Sequence, residues 1–308
     1  MKYLQMPPQK YSYALEANEI SRPGVYIVGF EFDGTVCFRK GAKNGPNAFR
    51  DVSEAIESYS PYLQIDLEDN HIPIFDLGNL RGEGHSSSEL YLSLNESFNQ
   101  LTCDVNLAQD SKHIVTLGGE HSISYVAIKK YLQQFPNLVV VHLDAHADLR
   151  DGYLGHHYSH ASIMRRMLEH FGPDNQLIQY GIRSGTREEY QWMNEQKTLS
   201  PNRAEFLQRI KNIPGDTPIY ITLDLDYFDP SYLPGTGTPE AGGEDFHSYI
   251  SLLKILKEKK LVGGDIVELS PEIDSSGNSS VFATKVLREL LCCISLSNGF
   301  YKDGIHEK

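Results

Sequence analysis

Two short stretches carry acids at alternate positions. "LDAHADLR" places Asp144, His146 and Asp148 two residues apart, and "LDLDYFDP" repeats the spacing with Asp224 and Asp226. A third stretch, "GGEHS", sets His121 behind a glycine pair. Imidazole and carboxylate without thiolate suit Mn²⁺, Zn²⁺, Fe²⁺ or Co²⁺ rather than a soft metal. Four carboxylates exceed what one catalytic zinc needs, and without cations they would repel one another and be partly protonated. Two divalent cations about 3.5–4 Å apart, sharing aspartates, would neutralise them and activate a water. The spacing leaves two geometries open. A strand continued past Asp144 would point all three groups to one face, whereas a turn there would wrap them around an ion. A single DxD is commonly a helix cap, but three such clusters and a Gly-Gly-x-His favour a metal site.

Short apolar runs must position these groups. Strands are expected at 24–29, 72–78, 113–118, 138–144, 176–181, 218–224 and 264–269. Helices are expected near 45–60, 87–110, 122–135, 160–171, 203–212, 245–259 and 280–297. Pro46 suits a first helical turn, followed by Ala48, Val52, Ala55, Ile56 and Tyr59 at helical spacing. The strands are almost continuously apolar, as in a parallel sheet covered on both faces. Alternating β and α predicts one α/β domain over 1–308, a three-layer α/β/α sandwich with a central, mostly parallel sheet. Ligands in such sheets sit outside the carboxyl ends of the strands. Four strand ends deliver metal-capable groups there: "GGEHS", "DAHAD", "DLDYFDP", and Glu268 after "DIV".

The composition excludes several classes. With 41 acidic against 28 basic residues the formal net charge is −13, and no basic patch suits nucleic acid. The negative charge taken alone reads as solubility, and it also suits a cationic ligand or a metal. No run is apolar for long enough to span a bilayer, and the N-terminal stretch has no apolar core of a signal peptide. Cys37, Cys103, Cys292 and Cys293 have neither metal nor disulfide spacing, so a cytoplasmic, reducing setting is expected.

"GGEHS", "DAHAD", "LDLDYFDP" and "VELSPEID", in this order, resemble the ureohydrolase family of arginase, agmatinase and formimidoylglutamase. The resemblance runs from about residue 24 to about residue 296. It implies the arginase-like fold, two Mn²⁺ per subunit and hydrolysis of a guanidino group to urea and an amine. It implies that His121, Asp144, Asp148 and Asp224 hold one manganese, and Asp144, His146, Asp224 and Asp226 the other, with Asp144 and Asp224 bridging. Asp148 would also aim the attacking water. The departing amine needs a proton, most naturally from a histidine. "YSHAS" matches the family's shuttle position, which selects His160, with His156 and His157 as alternatives nearer the loop entrance. Glu268 matches the acid that pairs with the substrate guanidinium. A homotrimer or homohexamer is implied on the same ground.

The loop after "DAHAD" lacks a clear match to the arginase segment for the α-carboxylate and α-amine, which argues against arginine. "DGTVCFRKGAKNGPNAFR" and "YLPGTGTPEAGG" look like agmatinase segments. Agmatine is therefore the expected small cationic substrate, ahead of aminopropylagmatine, guanidinobutyrate and guanidine. Glu240 is a candidate to face the distal amine. A deacetylase-like amidohydrolase with one zinc is a further alternative, and the two-metal donor set argues against it. Among the rest, Asp229 is expected to organise a turn, His142 to support the site from within its strand, and Arg183 to make a structural salt bridge. His71, His85, His113, His170, His247 and His306 are expected at the surface.

Overall fold

The structure is a computed structural model and describes residues 3–68 and 72–301. In chain order the strands are β1 (Leu4–Gln5), β2 (Leu15–Glu16), β3 (Gly24–Gly29), β4 (Tyr59–Ser60), β5 (Ile65–Asp66), β6 (Ile74–Leu80), β7 (Lys112–Leu117), β8 (Val139–Leu143), β9 (Gln176–Tyr180), β10 (Pro218–Asp224) and β11 (Lys260–Val267). The helices are α1 (Gly45–Asp51), α2 (Ser87–Thr102), α3 (Ser124–Gln134), α4 (Ile163–Leu168), α5 (Arg187–Glu195), α6 (Arg203–Asn212), α7 (Phe246–Leu256) and α8 (Asn278–Ser297). Among the described residues, nine strands form one sheet in the order β1-β6-β3-β7-β11-β10-β8-β9, with β2 also on β6. Within it β1 runs antiparallel to β6, and the other pairings are parallel.

Successive strand residues face opposite sides of the sheet. Val139, Val141 and Leu143 of β8, and Ile219, Ile221 and Leu223 of β10, pack in one core with residues of α1, α6, α7 and α8. Val140 and Tyr220, between them in sequence, pack in a second core with residues of α2, α3, α4 and α5. Helices cover both faces, so the expected three-layer α/β/α sandwich is what forms. That burial explains why the central strands are apolar at nearly every position.

The four strands expected to carry the site are neighbours. In the run β7-β11-β10-β8, Leu117 pairs with Ile266, Asp224 with Val267, and Leu223 with Leu143. Their carboxyl ends therefore finish level at one edge. The turn after β7 needs its two glycines. A Cβ on Gly118 would lie 2.5 Å from Val267 Cγ1, and one on Gly119 2.2 Å from the Phe32 carbonyl oxygen. Without side chains there, the backbone threads between the ends of β3 and β11 and delivers His121.

Two helix expectations need correction, and one further helix forms that was not expected. The helix expected over 45–60 stops at Asp51; a 3-10 turn, Ser53–Ala55, follows, and Ile56 is extended. Of the apolar residues spaced beyond Asp51, Ile56 is buried in the extended stretch before β4 and Tyr59 enters the β4–β5 pairing, whereas Ala55 is exposed. The helix expected to 110 stops at Thr102, because Gln134 holds the next segment through Leu107 N–H (2.6 Å) and the Val105 carbonyl (2.8 Å). Helix α5 was not anticipated, since "REEYQWMNE" is mostly polar; its start is marked by a Thr186–Glu189 capping box.

His113 is the one described histidine of the expected surface set that is buried. Of that set, His71 and His306 lie outside the described residues. Both faces of the sheet are covered, so β7 has no exposed side for His113. Its Nδ1 lies 2.9 Å from the Val262 carbonyl oxygen and must donate to it, while Nε2 is buried without a partner. Burial lowers its pKa from 6.5 to about 4. An unfolded chain takes up this proton near pH 6.5, and the fold resists until about pH 4, so stability falls as pH drops through that window. Urea unfolding of a His113→Asn variant should show a shallower loss than wild type there, by up to about 1.4 kcal/mol per pH unit. Equal slopes would contradict this assignment.

Candidate metal centre

Three of the acids accept backbone amides at the strand ends, two of them from the residue two positions on. Asp144 Oδ1 accepts the His146 N–H at 2.6 Å, Asp224 Oδ1 the Asp226 N–H at 2.8 Å, and Asp226 Oδ1 the Ala145 N–H at 3.0 Å. These bonds turn the chain at the strand ends, so the alternate spacing wraps a site rather than lining one face of a strand. Asp148 completes the turn at φ 55°, a left-handed conformation that costs a non-glycine residue about 1–3 kcal/mol. Its carbonyl accepts Met164 N–H at 3.0 Å and Arg165 N–H at 3.3 Å at the start of α4, while its carboxylate turns inward. Glu268 at the end of β11 is also left-handed, at φ 68°.

The side chains converge in two groups. His121, His142, Asp144 and Asp148 offer ligand atoms all within 4.8 Å of one another, as do Asp144, His146 and Asp226. Asp144 belongs to both, as a bridging residue would. Asp224 falls outside both groups, but its Oδ2 lies 3.5 Å from His121 Nδ1 and it lines the same cavity. His146 Nδ1 lies 2.9 Å from Asp226 Oδ2 and 3.5 Å from Asp144 Oδ1.

The ring of His121 tests whether a cation fits. Tyr220 and Thr222 both donate to the buried Asp265, at 2.8 and 2.7 Å. The Thr222 hydroxyl thereby spends its proton, so it can only accept from His121 Nε2, 2.9 Å away. That leaves a lone pair on Nδ1. Nδ1 is buried, has no hydrogen-bond partner, and faces carboxylate oxygens of Asp144 and Asp148 at 3.0 Å each. A lone pair among anionic oxygens is repulsive unless a cation sits between them, and the donor set suits a divalent metal. His142 has a different task. Gln179 donates to its Nδ1 at 3.1 Å, so its Nε2 carries the proton and donates to Asp144 Oδ2 at 2.8 Å. It orients Asp144, as its position within a strand suggested.

Electrostatics give the same answer. Burial opposes charge on His121 and His146, yet the carboxylates around them raise both pKa values, so these oxygens draw a positive charge to each ring, and at His121 Nδ1 a proton and a metal ion compete for the same lone pair. Burial, with neighbouring carboxylates, pushes Asp148, Asp224 and Glu268 above the usual carboxylate range. Asp144 is buried but is held well below that range by His121, His142 and His146. Positive charge is what these acids lack.

A cavity of about 250 Å³ opens onto the cluster. Its walls include His121, His146, Asp148 and Asp224, with His160 and Glu268 beside them. Glu268 Oε1 accepts the His121 N–H at 3.1 Å. His156 and His157 line a separate cleft, where both ring nitrogens of His157 lie within 3.0 Å of Arg166 Nη1. Burial lowers the His160 pKa from 6.5 to about 4, so its ring is neutral at pH 7. Arg183 makes no salt bridge among the described contacts. It donates instead to five backbone carbonyls, including Asp226 and Glu240, and so pins the 236–243 loop to the site. Asp229 organises that loop as expected, accepting from Ser231, Gly242 and Gly243. Glu240 is 43% exposed, with Oε1 3.9 Å from His146 Nε2, and stands outside the cavity wall. Thr222, Asp265, Thr35, Glu120, Tyr153 and Arg150 were not anticipated at the site. Only Glu120 carried a signal, as the acid inside "GGEHS".

An Asp224→Ala variant should retain well under the wild-type manganese content by metal analysis of the purified protein. Full occupancy would remove Asp224 from the metal site.

The Arginase family model matches residues 23–293. An agmatinase of Bacillus cereus is 34% identical over 272 residues, covering 87% of this chain and 90% of that protein. An N(1)-aminopropylagmatine ureohydrolase of Thermococcus kodakarensis is 33% identical, covering 80% of this chain and 82% of its own. The solved proclavaminate amidino hydrolase of Streptomyces clavuligerus is similar at a TM-score of 0.83 and 25% identity, covering 96% of this chain and 99% of that one.

Proposed function

The chain belongs to the arginase family and is a ureohydrolase, and we propose that it hydrolyses agmatine to urea and putrescine with two Mn²⁺. The observation that carries this reading is the cluster itself: buried Asp144, Asp148, Asp224 and Asp226 with His121 and His146, opening onto a cavity beside His160 and Glu268. His121, Asp144, Asp148 and Asp224 would hold one ion, and Asp144, His146, Asp224 and Asp226 the other. When bound, the two ions neutralise the aspartates and lower the pKa of a water enough to supply a nucleophile at neutral pH.

The chain's own groups do the rest. A guanidinium carbon is a poor electrophile because its charge is delocalised. Glu268, 5% exposed in the cavity wall, pairs with the guanidinium and sets the carbon in place. Asp148 accepts a hydrogen bond from the attacking water and aims it. His160, neutral before attack, takes up a proton and passes it to the departing amine.

The substrate assignment rests on the acidic cavity, the agmatinase-like segments at 33–50 and 232–243, and the similarity to the Bacillus cereus agmatinase. The Thermococcus kodakarensis relative supports a second reading, aminopropylagmatine, whose longer cationic tail the same acids would accept. The same reading sets the protein in the reducing cytoplasm, as a homotrimer or homohexamer.

Urea release by the manganese-loaded protein would be measured with agmatine, aminopropylagmatine, arginine, guanidinobutyrate and guanidine. Agmatine should give the highest kcat/KM and arginine negligible urea. Preference for another member would replace the substrate, and preference for arginine would overturn the reading of the loop after "DAHAD". His160→Ala should keep its metal content and lose rate by about 10²–10⁴-fold; near-normal turnover would move the shuttle elsewhere.

A further inference from the structure

Thr35 stands in the loop after β3, 125 residues from His160 in sequence, and is 5% exposed. Three groups meet its hydroxyl. Oγ1 lies 2.8 Å from Glu120 Oε1 and 3.1 Å from His160 Nδ1, and it accepts the His160 backbone N–H at 3.1 Å. A hydroxyl has one proton and two lone pairs.

The destination of that proton follows from Glu120. Its Oε2 accepts the Ser122 N–H at 2.7 Å, and its Oε1 the Ser122 hydroxyl at 2.9 Å and the Thr35 N–H at 3.3 Å. Every one of these partners donates, so the carboxylate is an acceptor throughout and takes the Thr35 proton as well. One lone pair of Oγ1 is occupied by the His160 N–H. The single remaining position on Oγ1 is an acceptor, so the imidazole must donate from Nδ1. The ring proton is then on Nδ1, and Nε2 is the nitrogen free to accept a proton. Thr222 does the same for His121 with Asp265 behind it, which leaves that ring's lone pair on the opposite nitrogen.

The geometry points to Thr35 as the positioning residue of His160. Backed by Glu120, its hydroxyl fixes the tautomer and direction of the ring, so that Nε2 is the atom that takes up and releases the proton. This rests on His160 being the shuttle. Tyr153 closes the ring on another side, edge to face at 5.7 Å between centroids, so a ring released from Thr35 has a neighbour to lean on but no partner for Nδ1.

The test compares Thr35→Val, which keeps the shape and loses the hydroxyl, with Thr35→Ser, which keeps the hydroxyl. With the best substrate of the panel, Thr35→Val should lose kcat by about 10–100-fold, as expected of a displaced reacting group. KM and manganese content should hardly change, and Thr35→Ser should recover most of the rate. Loss of metal or KM in step with kcat, or no rescue by serine, would make Thr35 a structural residue only. A second reading needs no turnover. In ¹⁵N-histidine-labelled full-length protein carrying diamagnetic Zn²⁺, the His160 ring is identified by its absence in His160→Ala. Wild type and Thr35→Ser should show the Nδ1–H tautomer, and Thr35→Val a mixture. An unchanged tautomer in Thr35→Val would overturn the proposal, even if the protein released no urea from any compound and the substrate reading failed with it.

Discussion

Four buried carboxylates crowded onto one edge of a parallel sheet repel one another. Two unit charges 4 Å apart interact by about 4 kcal/mol at an effective dielectric constant of 20. Asp144, Asp148, Asp224 and Asp226 are each no more than 6% exposed, so water screens them poorly. Most features around them bring positive charge or hydrogen-bond donors to these acids. His142 donates to Asp144, and the amides of Ala145, His146 and Asp226 donate to the acids beside them. The bare Nδ1 of His121 faces the same oxygens and leaves room for a cation.

The fold makes that crowding possible. Adjacent parallel strands β7, β11, β10 and β8 end level, which brings residues from four distant segments to one edge. Hydrophobic cores on both faces of the sheet hold the strands in register and absorb local strain at the site. Left-handed Asp148 and Glu268 are stable only because the surrounding bonds over-determine them. Two hydroxyls, Thr222 and Thr35, turn buried carboxylates into devices that choose which nitrogen of an imidazole is protonated. One choice exposes a ligand atom, and the other exposes a proton acceptor.

Much of this was legible in the sequence because it was local. Acids at strand ends stand beside the apolar runs that deliver them, and alternation of β and α implied the sandwich. The groups that orient the site were not legible, because their partners are remote: Thr35 meets Glu120 across 85 residues and His160 across 125. A threonine in a loop looks like any turn residue until the fold sets a carboxylate behind it. Helix ends failed for a related reason. Apolar spacing after Asp51 does not show that the chain leaves the helix for a 3-10 turn and an extended stretch, and polar α5 is announced by its cap rather than its periodicity. His113 failed because burial of a strand position depends on what covers the sheet.

The most direct test of the account is diffraction from crystals of the manganese-loaded protein, recorded at the manganese absorption edge. Two anomalous peaks per chain, about 3.5–4 Å apart, should lie between His121 and Asp226, with Asp144 and Asp224 touching both. A single peak, or a peak coordinated by His142 in place of Asp224, would contradict it.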